Sequence, residues 1–193
     1  MRGFIDESSA VRSGTRQEYL VGAAVVPPGD CEDIRAELKP LLLPGQIKVH
    51  WTDESEKRRQ TIVDAIIGLG AMNFVVTHVS ERSNKTERFR RKCMERLYFE
   101  LGAADVCDLT LESRTPPQDK GDRRHIVALQ GQGYDRRIRI SHARGGDEPL
   151  LWIPDALLGA LNSARGDDPQ YWDRLSETVV VEAATVESLP LTP

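Results

Sequence analysis

Continuous apolar runs and four-residue apolar steps alternate along this chain, and the switches between them mark its elements. Residues 3–5 form a brief apolar run that stops at Asp6-Glu7-Ser8-Ser9, with Ser13-Gly14 punctuating the turn beyond. Residues 19–26 are continuously apolar up to Pro27-Pro28, the pattern of a strand covered on both faces. Asp30 offers a cap for a helix of about three turns through Leu43, closed by Pro44-Gly45. Residues 47–51 predict a third strand. From Thr52 the period lengthens, and Ile62, Ile66 and Leu69 share one helical face with Val63 and Ile67 beside them. Phe74-Val75-Val76 predicts a buried strand, after which Phe89, Cys93, Leu97 and Leu101 step by four through a helix over 85–102. A strand over 106–112 comes next, then a polar stretch and a helix reaching Gly131. Residues 137–142 alternate as a strand does, and residues 149–152 lead into a helix opened by Pro154. Residues 178–184 predict a last strand before a frayed tail.

This order gives an α/β fold: a mixed sheet with antiparallel front strands, then alternating helices and strands. No repeat or linker divides the chain. One domain over residues 1–185 is expected, with 186–193 as the tail.

Composition narrows the function classes. The 193 residues carry a net charge of −4, which excludes a globally basic nucleic-acid coat, and 6% aromatics exclude a stacking platform for single strands. No apolar run approaches a membrane span, and acid follows the first residues too soon for a signal peptide, so a cytoplasmic protein is expected. Cys31, Cys93 and Cys107 lack metal-ligand spacing and read as reduced thiols. Charge is uneven, however. Residues 81–96 hold seven basic and three acidic side chains, and residues 114–139 hold the same, so these 42 residues carry +8 and the rest −12. They are either solvated helix faces or a phosphate-binding surface, and the second reading needs them on the same side as an active site.

Strand ends carry the candidate chemistry. Asp6 follows Phe4-Ile5, and Glu112 closes the run Val106-Cys107-Asp108-Leu109-Thr110-Leu111. Asp155 lies in the first turn of a helix whose other face is Leu157, Leu158 and Leu161. Carboxylates flanked by apolar sequence are costly unless paired, capped or bound to a cation. Clustered, they offer the oxygen ligands that Mg²⁺ or Mn²⁺ take, and two such ions roughly 3.5–4 Å apart suit phosphodiester cleavage. Each acid also has an ordinary reading: a turn at Asp6-Glu7-Ser8, a helix-dipole contact for Asp155, an ion pair with Arg114 for Glu112. His50, between Val49 and Trp51 and next to Asp53-Glu54, is either a satisfied strand histidine or a group that positions water or the leaving group. His78, His125 and His142 show no partner spacing. Trp51 and Trp152 read as core. No Gly-x-Ser-x-Gly elbow, phosphate loop or dinucleotide fingerprint occurs, and Gly131-Gln132-Gly133-Tyr134 reads as a turn.

Three patches together resemble a known family. Phe4-Ile5-Asp6-Glu7-Ser8, Ile47-Lys48-Val49-His50-Trp51, and Leu151-Trp152-Ile153-Pro154-Asp155-Ala156-Leu157-Leu158-Gly159-Ala160 resemble, in order, motifs of the prokaryotic domain-of-unknown-function 3800 family. The family's usual Gln and Ala are replaced by Trp152 and Pro154, and its Gly after Asp-Glu-Ser is replaced by Ser9. Members are similar in fold to ribonuclease H and the retroviral-integrase-like nucleases. The resemblance implies a ribonuclease-H-like mixed sheet and a Mg²⁺- or Mn²⁺-dependent nuclease acting on DNA or RNA. Asp6 matches the first-strand metal-bridging aspartate and Asp155 the aspartate of the last catalytic helix. Glu112 is the preferred middle acid, with Glu81 as its competitor; Asp119 and Asp122 are candidates for a further ligand or for orienting water. His50 and Asp122 are thus expected to assist. Glu7 points away from Asp6 if both lie in the strand. The alternative is a non-catalytic ribonuclease-H-like module within a larger assembly.

Overall fold

The computed structural model describes residues 1–12 and 14–191, so Ser13 of the expected Ser13-Gly14 turn and the last two tail residues lie outside the described residues. Six strands form one sheet in the order β5-β4-β1-β2-β3-β6. They are β1 (Arg2–Val11), β2 (Arg16–Val26), β3 (Met72–Glu81), β4 (Asp108–Glu112), β5 (Arg139–Ala143) and β6 (Val179–Ala184). The front strands β1, β2 and β3 are antiparallel; β4 joins β1, β5 joins β4 and β6 joins β3 in parallel. The expected mixed α/β sheet, antiparallel first and alternating with helices afterwards, is the observed one.

Among the described residues, six α-helices cover both faces: α1 (Cys31–Leu38), α2 (Glu56–Gly68), α3 (Thr86–Ala103), α4 (Pro116–Gly131), α5 (Trp152–Ala164) and α6 (Gln170–Leu175). Alternate β2 residues explain the continuous apolar run. Leu20, Ala24 and Val26 enter a core with α1, α2, α5 and α6, while Tyr19, Val21, Ala23 and Val25 enter a second core with α3 and α4. β1 divides likewise, with Phe4 on the α5 side and Ile5 on the α3 side. No helix among the described residues is long and apolar enough to cross a membrane.

Four local expectations need correction. β1 does not stop at Asp6 but continues to Val11, because its ladder to β2 pairs Ser8 with Leu20 and Ser9 with Tyr19 whatever the side chains are. α1 has eight residues and passes at Lys39-Pro40-Leu41 into a 3₁₀ turn, since a proline cannot donate into a continuing helix. Residues 47–51 are not a strand. The sheet's interior strands already have two partners each, Ile47 is 79% exposed, and the Trp51 amide donates to Asp155 instead of to a ladder. α5 begins two residues before Pro154, after a 3₁₀ turn at Pro149–Leu151, and α6 was not anticipated. Past β6 the chain stays against β3: Thr185 N–H donates to Thr77 O and Leu189 N–H to Val79 O, both at 2.9 Å.

Close approach seats α5. A Cβ on Gly22 of β2 would lie 3.1 Å from Leu158, and one on Gly159 would collide with the Trp51 ring. Trp51 is further fixed by an edge-on contact with Tyr171 (centroids 5.1 Å apart) and by the Arg59 guanidinium over its face. Gly159→Ala is therefore expected to destabilise the protein by about 1–3 kcal/mol, the range for overpacking a filled core. Gly121→Ala in α4, where a Cβ meets open space, should be neutral or stabilising. Urea midpoints compare the two, and equal midpoints would show that Trp51 can yield without cost.

Candidate active site

The parallel register sets Ile5 beside Leu111, so Asp6 and Glu112, one residue on, occupy neighbouring positions on the α5 side of the sheet. Their carboxyl groups are close enough to shift each other's protonation, raising Asp6 and lowering Glu112. α5 brings Asp155 over the same strands, close enough to raise the Asp6 pKa by charge repulsion. Asp155 is tied in place at both oxygens: Oδ1 lies 2.9 Å from His50 Nδ1, and Oδ2 accepts the Trp51 N–H at 2.7 Å. Asp6, His50 and Asp155 line an open cleft of about 320 Å³ with Trp51, Arg59, Asn162 and Ser163. Four of the five expected site residues (Asp6, Glu112, Asp155 and His50) are thus brought together.

Electrostatics marks the group as crowded. Burial, then the charges of Glu112 and Asp155, pushes the Asp6 carboxyl well above the usual carboxylate range, against a 2.8 Å donation from the Glu7 N–H. Burial also raises Asp155, with the Trp51 N–H and His50 pulling the other way. Glu112 is the exception. Burial alone would raise it, but Lys48 Nζ at 2.9 Å, the Asp6 carboxyl and the Gly145 N–H together hold it below its ordinary value. Glu112 therefore pairs with Lys48 and not with Arg114.

A carboxyl with a raised pKa holds its proton more tightly in the folded than in the unfolded chain. Stability then falls as pH climbs from the unfolded value toward the raised one. Asp6→Asn removes the proton-linked part, so in chelator it should melt higher than the parent at pH 7. The gain should vanish near pH 3, below the ordinary Asp value of about 3.9. Thermal scans across pH check this; a variant melting below the parent at pH 7 would show that Asp6 is not crowded.

Asp122 is not part of this cleft. It projects from α4 on the opposite face, where burial would raise its pKa but His142, Arg90 and Arg114 hold it down. Arg90 grips both its oxygens, Arg114 Nη2 lies at 3.1 Å and His142 Nε2 at 3.1 Å. The expectation that Asp122 assists at Asp6 is corrected by topology: α4 packs on the α3 side of β1, where Asp122 is linked to Glu7 of the first strand through Arg90 and Arg114. Asp119 goes with it, accepting from the Arg114 N–H at 3.0 Å. His142, which showed no partner spacing, belongs here as well. Glu81 ends β3 two strands from β1 and faces Arg16 at 3.4 Å, leaving Glu112 as the acid beside Asp6.

The donor set suits a hard divalent cation: three carboxylates, no thiol, and an Asp6 whose charge is disfavoured by its neighbours. The set is not tightly closed. Among the described residues, the group of three acidic or histidine side chains whose ligand atoms all lie within 4.8 Å is Asp119, Asp122 and His142, and its Asp122 is already neutralised by two arginines.

Sequence reasoning missed Lys48, Gly145, Arg59 and Asn162. Lys48 carried a signal, since it stands two residues before His50 in the patch already singled out. The others enter through α2, α5 and the turn after β5, and no spacing links them to Asp6.

No protein-family model and no curated protein matches this sequence. Solved structures show a loose likeness. The ribonuclease HII of Archaeoglobus fulgidus, solved in complex with PCNA, is 17% identical, with 92% of this chain and 77% of that chain covered and a TM-score of 0.43. Bst-RNase HIII in complex with Mn²⁺ is 13% identical over 91% of this chain and 53% of that one, with a TM-score of 0.40. Aquifex aeolicus RNase H3 is 12% identical over 91% and 58%, at 0.37. This chain thus spans little more than half of the last two, and at these identities and scores no residue or activity is carried over from any of them.

Proposed function

We propose that this chain is a divalent-metal-dependent nuclease of the domain-of-unknown-function 3800 type, hydrolysing phosphodiester bonds of nucleic acid. The observation that carries the reading is the grouping of three acids from β1, β4 and α5: Asp6 and Asp155 line one cleft with His50, and Glu112 stands beside Asp6 on the neighbouring strand. Mg²⁺ or Mn²⁺ held by these three carboxylates would supply the charge that polarises a phosphodiester. The chain's own residues do the rest. Asp155 fixes the His50 ring through Nδ1, which leaves Nε2 to take a proton from water or give one to the departing oxygen. Arg59 stacks on Trp51 with its Nε on the Trp51 carbonyl at 3.1 Å, so its terminal nitrogens are offered to a phosphate at the cleft wall.

The basic segments do not serve the cleft. α3 and α4 pack on the opposite face of the sheet, and Arg90 and Arg114 are spent on ion pairs with Glu7, Glu87 and the buried Asp122. The second reading, a non-catalytic module, is favoured by one observation: Lys48 partly neutralises Glu112.

Cleavage of single-stranded, duplex and hybrid substrates with Mg²⁺, Mn²⁺ or Ca²⁺ separates the two. The nuclease is expected to work with Mg²⁺ and Mn²⁺, to be inhibited by the larger and more loosely coordinated Ca²⁺, and to lose activity in acid as protons compete for the carboxylates. Full cleavage in excess chelator would end the metal reading, and silence on every substrate with every ion favours the module.

A further inference from the structure

Lys48 brings an ammonium group into the carboxylate cluster by a built contact. Its Nζ lies 2.9 Å from Glu112 Oε1, and its stem is held where the turn after β5 passes. A Cβ on Gly145 would lie 2.7 Å from that same oxygen and 2.9 Å from Lys48 Cδ, and one on Gly146 would lie 3.3 Å from the Ile47 carbonyl. The turn therefore rests directly on residues 47 and 48, and a side chain at position 145 would have to displace the ends of Glu112 and Lys48.

The oxygens left over are few. Asp155 is occupied at Oδ1 by His50 and at Oδ2 by the Trp51 N–H. Asp6 Oδ1 takes the Glu7 N–H, and Glu112 Oε1 takes Lys48. Two divalent ions sharing such a cluster stand about 3.5–4 Å apart. One end of this cluster already carries a positive charge, and a second ion there would face the ammonium at close range in a half-buried site, where like charges repel strongly. Three carboxylates are balanced by one divalent ion and one ammonium.

We propose that the Lys48 ammonium takes the place of a second cation, so that Asp6, Glu112 and Asp155 hold one divalent ion and not two. The inference rests on the reading that these three acids bind a divalent cation. Lys48 acts as a fixed charge that holds Glu112 in line and counters the negative charge of a phosphate entering beside the single ion.

Calorimetric titration of the full chain with Mn²⁺, joined to electron paramagnetic resonance of the bound ions, tests it without a substrate. The parent should take up one Mn²⁺ per chain with the signal of an isolated ion. Lys48→Met removes the charge, and Lys48→Gln removes it while keeping a hydrogen-bond donor for Glu112; circular dichroism shows which variants fold. Each folded variant should take up two ions with the signal of a coupled pair. Two ions in the parent, or one in the folded variants, would overturn the inference and leave the metal reading of the cleft standing. No Mn²⁺ uptake by the parent would overturn both.

Discussion

Asp6→Asn and Asp155→Asn are each expected to abolish Mg²⁺-dependent cleavage, with rates down by more than about a hundredfold. That is the upper end of what losing even a second contact to a bound metal brings, and these residues are proposed to touch the ion itself. The two variants should fail for different reasons. Asp6 sits between Glu112 and Asp155, so its loss removes the middle of the donor set. Asp155 also fixes His50 and the Trp51 amide, so its loss loosens a histidine as well as a ligand. Asn retains acceptor oxygen for the Glu7 or Trp51 N–H, and circular dichroism should show both variants folded. Steady-state rates with Mg²⁺ and Mn²⁺ provide the measurement, and parental rates in either variant would place the chemistry elsewhere.

Arg90→Met is expected to be the most destabilising single change on the α3–α4 face, by about 3–5 kcal/mol, because it strands buried charges without their partner. Arg90 is 3% exposed and binds both oxygens of Asp122, itself 3% exposed, while its Nε reaches Glu7. Arg88→Gln and Arg91→Gln, on the solvent side of the same helix, should change stability by less than about 0.5 kcal/mol. The double variant Arg90→Met with Asp122→Leu should lose less than the two single losses added, since no charge is left stranded. Urea unfolding gives all five values, that of the single Asp122→Leu included. A loss under 1 kcal/mol for Arg90→Met would mean that Asp122 is served well enough by Arg114 and His142.

The fold was legible wherever side-chain period and backbone pairing agree. β2, β3, α2 and α3 bury one face or two, and their apolar residues announce it. The misses occur where hydrogen bonds to distant groups decide. The polar half of β1 is held by its ladder to β2, and residues 47–51 are held by Asp155 and the Gly145 turn rather than by a strand partner. At the cleft, Asp6, Glu112 and Asp155 were visible as acids at the ends of apolar runs. Asp122 carried the same polar signature, but which face a helix covers depends on the crossover that places it, and sequence spacing does not record that. The basic segments misled for a related reason: a count of arginines does not reveal that Arg90 and Arg114 are already matched by acids from β1, α3 and α4.

Asp6 and Glu7 are consecutive, yet the Asp6 carboxyl faces Glu112 and Asp155 and the Glu7 carboxyl the Arg90 network, with the full thickness of the sheet between them. Insertions and deletions are therefore graver for β1 than most replacements. One residue inserted between Phe4 and Asp6 would turn Asp6 toward Arg90 and Glu7 toward the cleft, wrong on both faces at once. Two inserted residues would restore the faces but carry Asp6 about 6.5–7 Å along the strand, out of reach of Glu112. A change of length in the connection between β1 and β2 alters neither, because the ladder on both sides of β1 sets the frame. Natural length variation in chains of this design should collect in that connection and be absent from residues 4–7.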